Sequence, residues 1–147
     1  MIILDATDLA GIAAAAEAAF PAEGCGLLIG SGQEIVRVSR VIAANNLERE
    51  RRNDRFELDP SVRFAAERSL RGGAERVVGH WHSHPNGRSH PSAEDIARAF
   101  EPDLIWLIIG VMCNDDKLPH AHAPLAYRLN AEAGTIRPEQ LHIRSSL

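Results

Sequence analysis

The stretch from Leu104 to Met112 most limits what this chain can fold into. It reads Leu-Ile-Trp-Leu-Ile-Ile-Gly-Val-Met, apolar throughout and interrupted only by Gly110. A run with no polar face must be covered on both sides. It is far shorter than the roughly 18 residues a helix needs to cross a bilayer, and no other apolar run is longer. The reading is a central strand over Leu104 to Val111, in a sheet with helices packed on it.

The rest of the chain supplies those layers. Leu9, Ile12, Ala13, Ala16, Ala19 and Phe20 recur at helical spacing, which predicts a first helix over Thr7 to Phe20, capped by Thr7 or Asp8 and ended by Pro21. Gly26 to Gly30 and Glu34 to Val41 flank the turn signal Ser31-Gly32-Gln33 and read as a hairpin. Asn45 to Arg55 is polar and charge-dense and reads as a mobile loop. Phe56-Glu57-Leu58 is a short strand candidate, and Asp59-Pro60 opens a second helix that runs to about Leu70. Arg76 to His84 reads as a strand entering a polar loop, and Pro91-Ser92 opens a third helix to Phe100. A polar turn over Cys113 to Pro119 and strands over Ala123 to Leu129 and Leu141 to Arg144 complete the order α-β-β-β-α-β-α-β-β-β. This is an α/β chain with a mixed sheet.

Composition excludes several classes. At 147 residues the chain suits a single domain, 1–147, able to bury a core without staples. Two cysteines cannot build a disulfide framework. A net charge of −4 leaves no broad basic face to neutralise phosphates, so no nucleic-acid partner is expected. The opening Met-Ile-Ile-Leu-Asp lacks a basic n-region, so a signal peptide is not read there; the expectation is a cytoplasmic protein with no membrane partner.

Of seven histidines, four lie between His80 and His90. His82 and His84, two apart at a strand end, share a face. Two converging neutral imidazoles are half of a zinc site. Asp95 stands in the first turn of the third helix, and the chain between can bring it back to them. Two histidines and a carboxylate leave a fourth position open, as in a catalytic site. His-x-His is common without metal, however, and Ser92-x-x-Asp95 is also a capping box with a shortened acid. A metal hydrolase needs a general base as well. Glu94, Glu57 and Glu23 are candidates, and spacing leaves the choice open. His80 and His90 read as surface histidines in preference to a place beside the ligands, Trp81 and Trp106 as core or rim aromatics, and Cys25 as a packing residue.

These residues also form a known pattern. His82-Ser83-His84, seven residues, then Ser92-Ala93-Glu94-Asp95 resembles the His-x-His-x7-Ser-x-x-Asp signature of the JAMM (MPN-plus, JAB-domain) metalloproteases. Pro21-Ala22-Glu23-Gly24-Cys25-Gly26-Leu27-Leu28 resembles the family's Glu-x-Cys-Gly-Leu-Leu segment, and Arg55-Phe56-Glu57-Leu58-Asp59-Pro60 resembles the approach to the second helix in bacterial stand-alone members. The resemblance spans roughly Phe20 to Val111. It implies a curved mixed β-sheet flanked by helices, similar to cytidine deaminases. It further implies one zinc ion held by His82, His84 and Asp95, with Glu23 as general base and Ser92 steadying the oxyanion. Ser92 is thereby asked both to cap a helix and to serve the oxyanion, and one role is expected to prevail.

The same resemblance implies a substrate class. Bacterial stand-alone members look associated with ubiquitin-like sulfur-carrier proteins, whose Gly-Gly tails they free of a cysteine or other adduct. Deubiquitinases of the family carry two substrate-gripping insertions. Here the first can be only Asn45–Arg55, and Glu101-Pro102-Asp103 passes directly into Leu104, leaving no room for the second. Arg49, Arg51, Arg52 and Arg55 can steer an acidic carrier, although Glu48, Glu50 and Asp54 offset them. A non-catalytic MPN-type scaffold would lack ligands or the Glu, and a cell-wall or phage-type peptidase would be expected with an export signal.

Overall fold

The computed structural model describes residues 1–50, 53–97, 104–130 and 135–145. Its elements are β1 (Ile2–Asp5), α1 (Ala6–Ala19), β2 (Cys25–Ser31), β3 (Val36–Ala44), α2 (Pro60–Leu70), β4 (Arg76–His84), α3 (Ala93–Ala97), β5 (Ile105–Cys113), β6 (Pro119–Ala121), β7 (Leu125–Asn130), β8 (Thr135–Glu139) and β9 (Leu141–Arg144). The apolar run is central, as its composition requires. β5 pairs parallel with β4 on one side and antiparallel with β7 on the other. It sends Ile105, Leu107, Ile109 and Val111 into the core beneath α1, and Trp106 and Ile108 to the opposite face.

The sheet runs β8-β7-β5-β4-β2-β3-β1-β9. β8 and β9 stand at its two ends, yet only Gln140 separates them in the chain. The sheet must therefore curl until its edges approach. The N-terminal ammonium of Met1, on the β1 side, reaches Glu139 of β8 at 3.1 Å, and the N–H of Ile2 donates to the carbonyl of Gln140 at 2.8 Å. The result is the curved mixed sheet that the family resemblance implies. α1 buries Ile12 and Ala16 against one face, and α2 buries Ala66 against Leu27 and Ile29 on the other.

Several boundaries depart from expectation. α1 begins at Ala6 with Asp5 at its cap position, not Thr7 or Asp8, because the strand β1 occupies Ile2–Asp5 and turns straight into the helix. β1, β6 and β8 are additional strands. β8 holds Pro138, tolerated because the strand is an edge. Phe56-Glu57-Leu58 is no strand; Leu58 makes one isolated bridge to Asn46. The loop expected to be mobile is anchored at its described ends: Asn46 and Glu48 are buried, and Arg55 pairs with Glu48 at 3.0 Å. Arg51, Arg52 and the end of the third helix lie outside the described residues. α2 starts as expected, with Asp59 Oδ1 accepting from the N–H of Ser61 at 3.0 Å. Among the described residues no helix is long and apolar enough to cross a membrane.

A single irregularity in β4 decides which way its histidines point. Leu28 of β2 pairs with Gly79, but Ile29 pairs with Val77, so Val78 is an extra residue on β4. Val78 and Trp81 both belong to the core under α1. Without the bulge, the alternation from Val78 would carry His80, His82 and His84 into that core; with it, they face the other side.

Burial ranks the cost of truncation. Leu107→Ala, at 1% exposure, is expected to lose about 2–5 kcal/mol, whereas Phe64→Ala, at 66% exposure, should stay within about 0.5 kcal/mol of wild type. Urea unfolding of the two variants checks the ranking.

Candidate metal centre

β4 delivers His82 and His84 side by side at its C-terminal end, their ring centroids 5.0 Å apart. His82 is wholly buried, its ring stacked on Phe56 at 4.5 Å. Asp95 enters from the start of α3. Its Oδ2 lies 2.9 Å from His84 Nε2 and 3.2 Å from His82 Nε2. Glu23 comes from the turn between α1 and β2 and is 1% exposed. One ligand atom from each of Glu23, His82, His84 and Asp95 lies within 4.8 Å of the others.

Ring chemistry shows what this cluster needs. His84 Nδ1 lies 3.1 Å from the carbonyl oxygen of Arg88, which can only accept, so Nδ1 carries the proton. Nε2 then faces a carboxylate oxygen 2.9 Å away, a contact that is favourable when a proton on Nε2 or a metal cation joins the two atoms. His82 Nδ1 is buried without a hydrogen-bond partner, and Nε2 has only the poorly aligned Asp95 Oδ2 at 3.2 Å, an expensive arrangement in a protein interior. Two imidazoles and two carboxylates converging on one buried point fit a metal ion.

Electrostatics agree. Burial alone would raise the Asp95 carboxyl, but the two histidines and the Ser92 N–H, at 2.8 Å, hold it well below the ordinary carboxylate range. Burial lowers His82 and keeps it neutral, the form that binds metal. Ser92 Oγ accepts from the N–H of Asp95 at 3.0 Å, so the capping box is formed. That bond uses a lone pair and leaves the O–H proton available. The conflict expected between capping and donation to an oxyanion therefore does not arise.

The competing carboxylates are elsewhere. Glu57 is exposed and outside the cluster, and Glu94 pairs with Arg55 at 3.3 Å. His80 is not the surface residue expected. Its ring lies against Phe56 at 5.5 Å and Trp106 at 5.2 Å, and burial together with its neighbour His82 pushes its pKa down to about 3. The rings around it come from distant segments, so nothing local to His80 signals this. His90 is exposed, as expected, with Nδ1 3.2 Å from the Tyr127 hydroxyl.

Residues 6–123 match the family described as prokaryotic homologs of the JAB domain. The chain belongs to this family. It is 33% identical over 102 residues to a desampylase of Haloferax volcanii, 69% of each chain, and 30% identical over 119 residues to a CysO-cysteine peptidase of Mycobacterium tuberculosis, 80% of this chain and 75% of that one. The solution structure of a Desulfitobacterium hafniense protein superposes with a TM-score of 0.81 at 30% identity, covering 100% of this chain and 95% of the other. A JAB1/MPN domain protein of Archaeoglobus fulgidus shares the fold, with a TM-score of 0.56 at 21% identity over 97% of this chain and 98% of that one.

In this JAB-family chain the loop that fixes His84 rests on β5. A methyl added at Gly110 would meet the Gly87 backbone at 2.3 Å, and Gly110 N–H donates to Ser89 Oγ at 3.0 Å. Gly110→Ala should shift that loop, and with it the Arg88 carbonyl, lowering metal affinity about 10–100-fold in a chelator competition. Unchanged affinity would contradict this coupling. The two cysteines differ as sharply. Cys25 is buried, and burial and Glu23 push its thiol up to about 12, whereas Cys113 is exposed. At a pH of about 8 a disulfide reagent should titrate Cys113 alone in the native protein, and both thiols after unfolding.

Proposed function

We propose that this chain, read as one domain over 1–147, is a zinc metallopeptidase. Its substrate is a ubiquitin-like sulfur-carrier protein, from whose Gly-Gly tail it releases a C-terminal adduct. The observation that carries this reading is the buried convergence of Glu23, His82, His84 and Asp95. His82, His84 and Asp95 would hold the ion, and their spacings of 2.9 and 3.2 Å approach the roughly 3.3 Å between ligands of tetrahedral zinc. Zinc in such a site supplies Lewis acidity and lowers the pKa of water towards about 7.

The protein's own groups divide the remaining work. Glu23 takes the proton of the attacking water and returns it to the leaving amine. The Ser92 O–H, not used by its capping bond, donates to the developing oxyanion. The Ser92 N–H, at 2.8 Å, helps hold Asp95 ionised. Beside Asp95 opens a cavity of about 380 Å³ with walls that include Phe56, Leu58, His80, Leu104 and Trp106. It offers the tail an apolar lining next to the metal ligands. The names of two relatives, a desampylase and a CysO-cysteine peptidase, support a protein tail as the substrate. The short segment between β3 and α2 supports a small carrier over a folded ubiquitin chain.

Incubation with a carrier protein bearing a C-terminal cysteine, beside a ubiquitin dimer, tests this. The carrier adduct should be cut and the dimer left intact; the reverse would overturn the substrate class. Glu23→Gln should retain its metal and lose about 10²–10⁴-fold in kcat. Undiminished turnover would remove Glu23 from the mechanism.

A further inference from the structure

The peptide unit joining Glu23 to Gly24 is gripped at both of its polar atoms. Its carbonyl oxygen accepts from Asn46 Nδ2 at 2.9 Å, and its N–H donates to Ser83 Oγ at 2.7 Å. Both side chains are buried, Ser83 at 1% exposure and Asn46 at 6%. Burying such groups is unfavourable unless their hydrogen bonds are made, and here they are. Asn46 Oδ1 also accepts from the N–H groups of Glu48 and Glu57, at 2.9 and 3.0 Å. The Ser83 N–H donates to the Gly24 carbonyl at 3.0 Å, which doubles the link between the two segments.

The origins of the two grips give them meaning. Ser83 stands between His82 and His84, with its side chain turned away from theirs by the alternation of β4. Asn46 belongs to the segment that also carries Phe56, stacked on His82. A peptide plane held at both ends cannot rotate, so the direction in which the Glu23 side chain leaves the backbone is set by the metal-bearing strand and by the β3–α2 segment together. We propose that Ser83 and Asn46 form a two-point clamp that aims Glu23 at the metal centre. Both are positioning residues, acting through Glu23. The inference rests on reading Glu23 as the general base.

Asn46→Asp tests one grip while keeping the Asn46 oxygen. It retains that acceptor for Glu48 and Glu57 but loses the donor to Glu23, and with it the longer 3.4 Å bond to the Arg55 carbonyl, whereas Asn46→Ala loses both sets. Ser83→Ala removes the other grip, and Ser83→Thr retains a hydroxyl. Asn46→Asp, Asn46→Ala and Ser83→Ala should each lower kcat on the carrier–cysteine adduct about 10–100-fold, with KM within about threefold and metal content unchanged, and Ser83→Thr should recover most of the loss. In the cobalt(II)-substituted proteins the visible spectrum of each impaired variant should move towards that of Glu23→Gln. Wild-type kcat and spectrum in Asn46→Asp with a defect only in Asn46→Ala would make Asn46 a fold residue of its loop and overturn the clamp. Loss of metal in step with kcat would overturn it too. If even the wild type leaves the adduct uncut, the proposed substrate fails and the cobalt spectra alone decide: a shift supports the clamp, and no shift overturns it. Asn46→Asp carries the test should Ser83→Ala not fold.

Discussion

The site depends on the phase of strand β4. Val78 sits as an extra residue opposite β2, and the alternation restarts beyond it with Trp81 under α1 and the three histidines on the other face. A strand one residue out of phase would bury imidazoles among Ile12, Ala16 and Leu28, where no polar group could pair with them. With the phase as it is, α3 can bring Asp95 to His82 and His84 from the open side, while the turn after α1 brings Glu23 alongside. The parallel pairing of β4 with β5 fixes the height of the two histidines, because His84 lies opposite Gly110 and the loop after His84 rests on that glycine.

Burial makes the cluster both costly and useful. In a low-dielectric site, lone pairs that face one another repel, and polar atoms without partners destabilise the fold. His82, with its unpartnered Nδ1 and poorly aligned Nε2, and the close His84–Asp95 contact are therefore well matched by a cation. The capping box shows how the fold reuses its parts. The same Ser92–Asp95 pair that starts α3 orients the carboxylate through the Ser92 N–H and still leaves a hydroxyl proton to donate. In the proposed mechanism, structural and chemical roles coincide there because they draw on different atoms.

Much of this was legible in the sequence because the decisive spacings are short. His82 and His84 share a face by the two-residue period of a strand, and Ser92 reaches Asp95 by the geometry of a first helical turn. The apolar run of β5 announced its central position, and the helices followed from their periodicity and caps. What escaped was long-range. Spacing alone could not choose Glu23 over Glu94; the family resemblance did. Ser83 and Gly24 are 59 residues apart, and Asn46 and Glu23 are 23 apart, so no local pattern announces their bonds. His80 looked like a surface residue because Phe56 and Trp106 reach it from other elements. β1 was missed because it is short and its parallel partner β9 lies near the other end of the chain, and β8 because Pro138 disguises an edge strand.

The chemistry of the site turns on whether this cluster holds a metal. The direct measurement is elemental analysis of the purified protein at neutral pH, before and after dialysis against a chelator and resupply of zinc. About one zinc per chain is expected, regained on resupply and absent from a folded His84→Ala variant. Folded wild-type protein that carries no metal and takes up none would contradict the metal centre.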